Sequence, residues 1–152
     1  MSSALESSSC VEESRVIAAP IAKVWATVRG LDQLKSFWPA VQESVLESGL
    51  AADQVGSVQK VTFKDGTVQK FKVLEISDLE VKMSYEIIES NPPTVYMSAV
   101  HTIRVFPVTH DNTSFVSWKS EFSSSENTAA VVADARFKKK EALEGLSVFL
   151  KA

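Results

Sequence analysis

The chain contains 152 residues, a length that suits one domain with a single buried core. Its 16 Lys and Arg residues and 19 Asp and Glu residues give a formal net charge of −3, so no basic excess is available to bind nucleic acid or an anionic membrane surface. Apolar residues make up 45% of the chain but occur in short runs, which excludes wholesale disorder and insertion of a helix into a membrane. The single cysteine, Cys10, cannot form an intrachain disulfide and no secretory signal is recognisable, so we expect a cytoplasmic location.

Residues 1–13 are rich in Ser and Glu and poor in apolar side chains. Such a composition buries too little apolar surface to fold, which predicts a flexible N-terminal tail. No internal repeat and no linker-like stretch interrupts the remainder. Residues 14–152 are therefore predicted to form a single domain, which opens with an extended segment over residues 14–19.

Two short helices are predicted after this first strand. Pro20 suits the first turn of a helix, because that position needs no backbone donor. Apolar residues then recur at three- and four-residue steps as far as Val28, and Gly30 marks the end of the run. The apolar residues from Leu31 to Phe37 indicate a second short helix, which Pro39 ends.

From residue 41 onwards the apolar period changes to two, the spacing of a strand with one buried face. Turn residues divide this region into six predicted strands, at residues 41–48, 55–63, 67–76, 79–88, 94–108 and 114–122. The clearest turn is Asp65-Gly66, a dipeptide that accepts the positive φ angles of a tight hairpin. Consecutive strands joined by short turns predict an antiparallel sheet.

The C-terminal region is predicted to form one long helix over residues 126–150, which the preceding serines can cap. At 100° per residue its apolar side chains form one stripe: Val131, Val132, Ala135, Ala142, Leu143, Leu146, Phe149 and Leu150. That stripe needs an apolar surface to pack on, and the sheet is the one candidate. The predicted fold class is therefore α+β, with a curved antiparallel sheet wrapped around a long C-terminal helix and two short helices after the first strand.

This order of elements resembles the helix-grip fold of the Bet v 1-like, START-related superfamily. Within it, the chain is similar to the polyketide cyclase/dehydrase branch, which includes the plant lachrymatory-factor synthases. The resemblance covers nearly all of residues 14–150 and rests mainly on the stretches Trp38-Pro39-Ala40-Val41, Val55-Gly56-Ser57-Val58, Phe63-Lys64-Asp65-Gly66 and Thr102-Ile103-Arg104-Val105. It implies a cavity between sheet and long helix that holds a small, mostly apolar molecule. Fold alone does not assign the chemistry, because the superfamily includes transporters, hormone receptors and enzymes.

The resemblance also bears on catalysis. In the lachrymatory-factor synthases an Arg, a Glu and a Tyr that face the cavity carry the proton transfer. Aligning the shared motifs places Gln59, Phe71 and Ala99 at these positions. Neither Phe nor Ala can act as a general acid or base, so we do not expect that particular chemistry.

Strand alternation and the helical stripe predict which side chains line the cavity. The predicted ligand-binding residues are Gln59, Val61, Phe63, Phe71, Met83, Tyr85, Met97, Ala99, His101, Trp118, Ser120, Phe122, Ala135, Lys139 and Leu143. Most of these residues are apolar, which favours an apolar ligand.

Three polar residues are the candidates for chemistry in this cavity. His101 lies in an apolar run and titrates near neutral pH, so it is either a ligand-binding or acid/base group or a core histidine satisfied by a neighbouring hydroxyl. Lys139 falls within the helical stripe, where it suits an anionic ligand group unless its long stem reaches solvent. Glu75 is a second candidate base if a shift in register turns it inward. No histidine, cysteine and carboxylate cluster accompanies His101 or His110, so no metal and no other cofactor is expected.

Three functions fit this pattern. The leading hypothesis is a carrier or binding protein for a small hydrophobic or aromatic molecule. The rival is a cyclase, lyase or isomerase that uses His101 or Glu75 in the same cavity. A third is a regulatory module whose loops close over the ligand. We expect a monomer or weak homodimer that binds no nucleic acid and does not insert into a membrane.

Overall fold

The computed structural model describes residues 8–47, 49–94, 98–123 and 128–151. The strands are β1 (Ser8–Ile17), β2 (Val41–Leu46), β3 (Val58–Phe63), β4 (Val68–Ser77), β5 (Lys82–Asn91), β6 (Ala99–Val108) and β7 (Thr113–Ser123). The helices are α1 (Ile21–Val28), α2 (Leu34–Phe37) and α3 (Thr128–Lys151). The element order agrees with the prediction, with two short helices after the first strand and a long helix at the end.

The strands form one seven-stranded sheet in the order β1-β7-β6-β5-β4-β3-β2. Every neighbouring pair is antiparallel. Strands β2 to β7 lie in sequence order, and β1 pairs with β7 at the edge. The sheet curves around α3, which confirms the predicted α+β helix-grip fold. In the part of the chain that the structure describes, no helix has the length and apolar character needed to cross a bilayer.

The first strand is longer than the sequence predicted. It begins at Ser8 and pairs with β7 along its whole length, so residues 8–13 belong to the sheet rather than to a tail. Val11 is fully buried, and Glu13 forms a 2.6 Å ion pair with Arg136 of α3. The predicted tail was therefore wrong for residues 8–13. Composition is a poor guide here, because an edge strand is stabilised by hydrogen bonds to its neighbouring strand and needs few apolar residues of its own. The rest of the predicted tail, residues 1–7, lies outside the described residues.

The predicted Asp65-Gly66 turn joins β3 to β4. Gly66 has a φ of 93° and its N–H donates to the carbonyl of Phe63 over 3.0 Å. The Thr67 N–H donates to Oδ1 of Asp65 over 2.9 Å, which holds the pKa of that carboxyl below its usual value. This turn places Thr67 at the edge of the space between sheet and helix.

Helix α3 buries one stripe, as its periodicity predicted. The buried side chains are Ala135, Lys139, Ala142, Leu143, Leu146, Ser147 and Leu150. Phe149, predicted in the stripe, is 39% exposed, because it lies one residue and hence about 100° before Leu150 around the helix.

The C-terminal half of α3 packs directly against α2 at Gly145. A Cβ atom on Gly145 would lie 1.9 Å from the carbonyl oxygen of Phe37 and 2.9 Å from Cδ of Pro39. No side chain fits in this space, so the two helices approach backbone to backbone. This contact sets the position of α3 over the sheet.

We expect Gly145→Ala to destabilise the protein by about 1–3 kcal/mol, because the added methyl group must push α3 away from α2. Gly49→Ala is the matched control: a Cβ there meets no atom within 4 Å, and the change should stay within about 0.5 kcal/mol. Urea unfolding of both variants measures the difference. Equal stabilities would contradict the close packing at Gly145.

Candidate ligand-binding cavity

A cavity of about 360 Å³ lies between the concave face of the sheet and the N-terminal half of α3. Aromatic side chains make up a large part of its walls: Trp38, Phe63, Phe71, Tyr85, Trp118 and Phe122. The concave face collects these residues because side chains at alternate positions of a strand point to the same side. The helix contributes small residues opposite them, among them Ala130 and Ala135.

The cavity opens between the loop that follows β5 and the start of α3. Pro92, Pro93, Ala130 and Asp134 line it and are also exposed to solvent. Lys138 lies at the same end, with its Nζ 3.0 Å from Asp134 and 5.9 Å from the centre of the Phe63 ring. The opening is therefore polar, whereas the inner wall is aromatic.

Four rings form a continuous row across the inner wall. Phe71 and Tyr85 stack with ring centres 4.9 Å apart, and Tyr85 stacks on His101 at 4.8 Å. Phe122 meets the edge of His101 at 6.2 Å. Because each ring lies on a different strand from β4 to β7, the row links four neighbouring strands and stiffens the wall.

His101 is buried in this row, with 7% of its surface exposed. Its Nδ1 lies 2.5 Å from the hydroxyl oxygen of Ser120, its cross-strand neighbour on β7. Its Nε2 has no hydrogen-bond partner among the described residues. Burial, together with the positive charges of Lys139 and Lys138, lowers the pKa of His101 well below 6.5, so the ring is neutral at physiological pH.

Lys139 lies on the opposite wall, on the buried stripe of α3, and is only 5% exposed. Its ammonium makes no hydrogen bond and no ion pair with any described residue. Burial, and secondarily the charge of Lys138, lowers its pKa from 10.5 to about 8. The side chain of Lys139 is therefore largely buried on the stripe rather than part of the solvated face of the helix.

Comparison with known proteins assigns the family. The model of the family described as "Polyketide cyclase / dehydrase and lipid transport" matches residues 8–147. The chain belongs to this family. No curated protein matches it in sequence.

Solved structures of several proteins share this family member's fold. XoxI from Bacillus cereus superimposes with a TM-score of 0.82 and 24% identity, over 93% of this chain and 96% of that one. Ara h 8.0201 gives a TM-score of 0.76 and 18% identity, over 95% and 99% of the two chains. The ginseng major latex-like protein from Panax ginseng gives 0.76 and 15%, over 94% and 95%. These likenesses confirm the expected Bet v 1-like fold, and at such identities they show the fold alone.

The structure brings about half of the predicted ligand-binding residues together at the cavity of this polyketide cyclase/dehydrase family member. Those that line it are Phe63, Phe71, Tyr85, His101, Trp118, Phe122, Ala135 and Lys139. Val61, Met83, Ala99 and Leu143 are buried but do not line the cavity. Ser120 does not line it either, and its hydroxyl is hydrogen-bonded to Nδ1 of His101. Met97 lies outside the described residues.

Gln59 is also absent from the cavity wall. It is buried on β3, and its Oε1 accepts a 2.9 Å hydrogen bond from the hydroxyl of Ser44 on β2. Strand alternation correctly predicted that Gln59 faces inward. Its amide nevertheless stays within the core, because it is hydrogen-bonded to Ser44 on the neighbouring strand. Gln59 is therefore a neutral residue with a structural hydrogen bond.

Glu75 does not face the cavity. Its side chain is 46% exposed, and its carboxylate lies 3.8 Å from Nζ of Lys82. The register of β4 against β5 shifts between Val73 and Glu75, so Glu75 pairs with outward-facing Ser84 while Val73 stays in the core. The bulge reverses the alternation and removes Glu75 as a candidate base.

Sequence patterns did not predict that several other residues line the cavity. These residues are Trp38, Thr67, Gln69, Ser90, Pro92, Pro93, Thr94, Ala130, Asp134 and Lys138. Gln69 could have been found, because it alternates with Phe71 on the same strand. Trp38 belongs to the buried core and also reaches the cavity, where its ring meets those of Phe63 and Trp118 edge-on with centroids 5.5 Å apart in each pair. Its direction depends on how α2 meets the sheet, and no local pattern encodes that. Among the described residues, no group of three His, Cys, Asp or Glu could hold a metal ion.

We expect Lys139→Met to stabilise the protein at neutral pH, because it removes a buried charge that has no partner. The fall in the pKa of Lys139 from 10.5 to about 8 means that the charged amine lowers the free energy of unfolding by roughly 3 kcal/mol. Between these two pH values the unfolded chain binds the proton that the folded chain has lost, so the stability of the native sequence rises with pH. The stability gained by Lys139→Met relative to the native sequence should therefore decrease as the pH rises from about 8 to 10.5.

Urea unfolding at several pH values measures this dependence. Lys140→Met is the matched control, because Lys140 is exposed on the same helix and its replacement should give a difference that does not change with pH. An advantage of Lys139→Met that stays constant up to pH 10.5 would contradict the burial of the charged amine.

Proposed function

We propose that this protein is a carrier or binding protein that holds a small hydrophobic or aromatic molecule in the cavity between the sheet and α3. The observation that carries the proposal is the aromatic lining of a cavity of about 360 Å³. Cavities that bind small molecules fall in the range of about 300–1,000 Å³ and combine apolar walls with a few polar groups. The setting we propose is the cytoplasm, with the protein as a monomer or weak homodimer.

The energetics favour a ligand with flat apolar surfaces. Burying apolar surface stabilises a complex by roughly 25 cal/mol per Å². The rings of Phe71, Tyr85, Trp118 and Phe122 offer faces and edges on which an aromatic ligand can stack. The row of stacked side chains makes this surface rigid before binding, which lowers the entropic cost of ordering it.

The family supports binding without selecting one chemistry. Its description names lipid transport beside cyclase and dehydrase activities. The residues that correspond to the catalytic Arg, Glu and Tyr of the lachrymatory-factor synthases are Gln59, Phe71 and Ala99, and none of them is ionisable. The one carboxylate among the described lining residues, Asp134, lies at the solvent-exposed opening and pairs with Lys138. These features favour a carrier.

A second candidate function, a cyclase, lyase or isomerase, is favoured by one observation. His101 is a neutral imidazole in the cavity wall, with Nδ1 hydrogen-bonded to Ser120 and Nε2 without a partner in the described part of the chain. A neutral imidazole nitrogen can take a proton from a bound substrate and return it elsewhere. Under this alternative His101 is the acid/base group, and the aromatic wall orients the substrate.

Phenylnaphthylamine, a neutral aromatic dye, tests the proposed binding. The dye should bind the native protein, and Ala135→Phe should weaken binding by at least about tenfold, or ~1.4 kcal/mol, because a phenyl ring at Ala135 fills the cavity. Ala133→Phe is the matched control, since Ala133 is exposed on the same helix and the added ring reaches solvent. Dye fluorescence gives both affinities. Equal affinities for the two variants, or no binding to the native protein, would contradict a ligand site in the cavity.

Native mass spectrometry of freshly purified protein provides a ligand for the second candidate function. If the protein is an enzyme, a molecule that co-purifies should be converted on incubation with native protein and should stay intact with His101→Ala, which removes the acid/base group. Liquid chromatography with mass detection follows the conversion. A molecule that both proteins bind and neither converts would exclude catalysis by His101 and leave the carrier.

A further inference from the structure

Lys139 is a buried cation whose potential counter-ions are already engaged. The groups that act on its pKa are Lys138 and Asp134 on its own helix and Cys10 and Glu13 on β1, while the neutral ring of His101 lies on β6 across the cavity. Of the two carboxylates, Asp134 pairs with Lys138 at 3.0 Å and Glu13 pairs with Arg136 at 2.6 Å. Neither lies within ion-pair distance of Lys139.

A cation in this position needs a partner. Burying an ammonium group without an opposite charge costs stability, and proteins rarely keep one unless it has a role. Because its pKa is about 8, Lys139 is mostly protonated at neutral pH despite this cost. An anion that entered the cavity would supply the missing counter-charge.

His101 lines the same cavity and offers a second group that can bind an anion. Its ring is neutral, so one nitrogen donates a hydrogen bond and the other accepts one. When Nδ1 accepts from the hydroxyl of Ser120, Nε2 carries the ring proton and has no acceptor among the described residues. Lys139 and His101 then offer an ammonium and an N–H donor from two walls of one aromatic cavity.

We infer that the ligand of this cavity carries an anionic head group, such as a carboxylate or sulfonate, which Lys139 binds as its counter-ion and to which His101 donates a hydrogen bond. The apolar body of the same molecule lies among Phe71, Tyr85, Trp118 and Phe122. This inference rests on the proposed binding function and narrows the ligand from any hydrophobic molecule to an amphipathic organic anion.

Two dyes with one ring skeleton separate the head group from the body. Anilinonaphthalene sulfonate carries a sulfonate, and phenylnaphthylamine lacks it. The native protein should bind the sulfonate more tightly than the neutral dye. Lys139→Met should lower the affinity for the sulfonate by roughly tenfold to a hundredfold, the range for a hydrogen-bonded charge, and leave the affinity for the neutral dye unchanged. Lys140→Met, on the exposed side of the helix, should change neither affinity.

The possible results are distinct. Loss of sulfonate binding alone in Lys139→Met supports the inference. Equal effects on both dyes, or no effect on either, would overturn it while leaving the binding proposal intact. If the native protein binds neither dye, both the binding proposal and the inference fail.

The pH profile gives an independent check. The sulfonate stays charged throughout, so its affinity should fall as Lys139 loses its proton above a pH of about 8, whereas affinity for the neutral dye should stay constant. Cys10→Ser removes the thiol of β1 that acts on Lys139, and the fall in sulfonate affinity with rising pH should persist in this variant. A profile that disappears in Cys10→Ser and persists in Lys139→Met would refute the assignment.

Discussion

The packing of α3 against the rest of the fold is the contact on which the cavity depends. At Gly145 the helix approaches α2 so closely that no Cβ fits, and its neighbours Ala142, Leu143 and Leu146 are buried. Several turns closer to its N-terminus, the same helix places Ala135 and Ala130 opposite the large rings of the sheet. A cavity of about 360 Å³ lies between them. The helix is thus held firmly at one end and spaced from the sheet at the other, and protein interiors seldom leave such a volume without a use.

Two titratable side chains in this space, His101 and Lys139, are poorly satisfied by the described part of the protein, as are the indole N–H groups of Trp38 and Trp118. His101 has one ring nitrogen without a partner among the described residues, and Lys139 is a buried ammonium with no counter-ion there. Each lowers the stability of the protein on its own. Proteins retain such destabilising side chains mainly at functional sites, because a ligand supplies the missing partner when it binds. The same two residues therefore link the stability of the fold to the chemistry of its cavity.

Sequence patterns predicted the fold and the concave face well, because strand alternation and helical periodicity are local. They placed Phe71, Tyr85, His101 and Trp118 on one wall and Lys139 on the facing stripe, as the structure does. The remaining differences arise from contacts between distant segments. A bulge turned Glu75 outward, and Ser44 on another strand retained Gln59 in the core. The pairing of β1 with β7 drew residues 8–13 into the sheet.

The most direct test of the central claim is the position of a bound aromatic molecule, measured by intermolecular nuclear Overhauser effects between phenylnaphthylamine and the side chains of the protein. We expect contacts with the Ala135 methyl group and with the indole ring of Trp118, both of which line the cavity. Contacts confined to exposed apolar side chains, such as Phe106, Phe137 and Val148, would show that the dye binds the surface and would contradict a ligand cavity under α3.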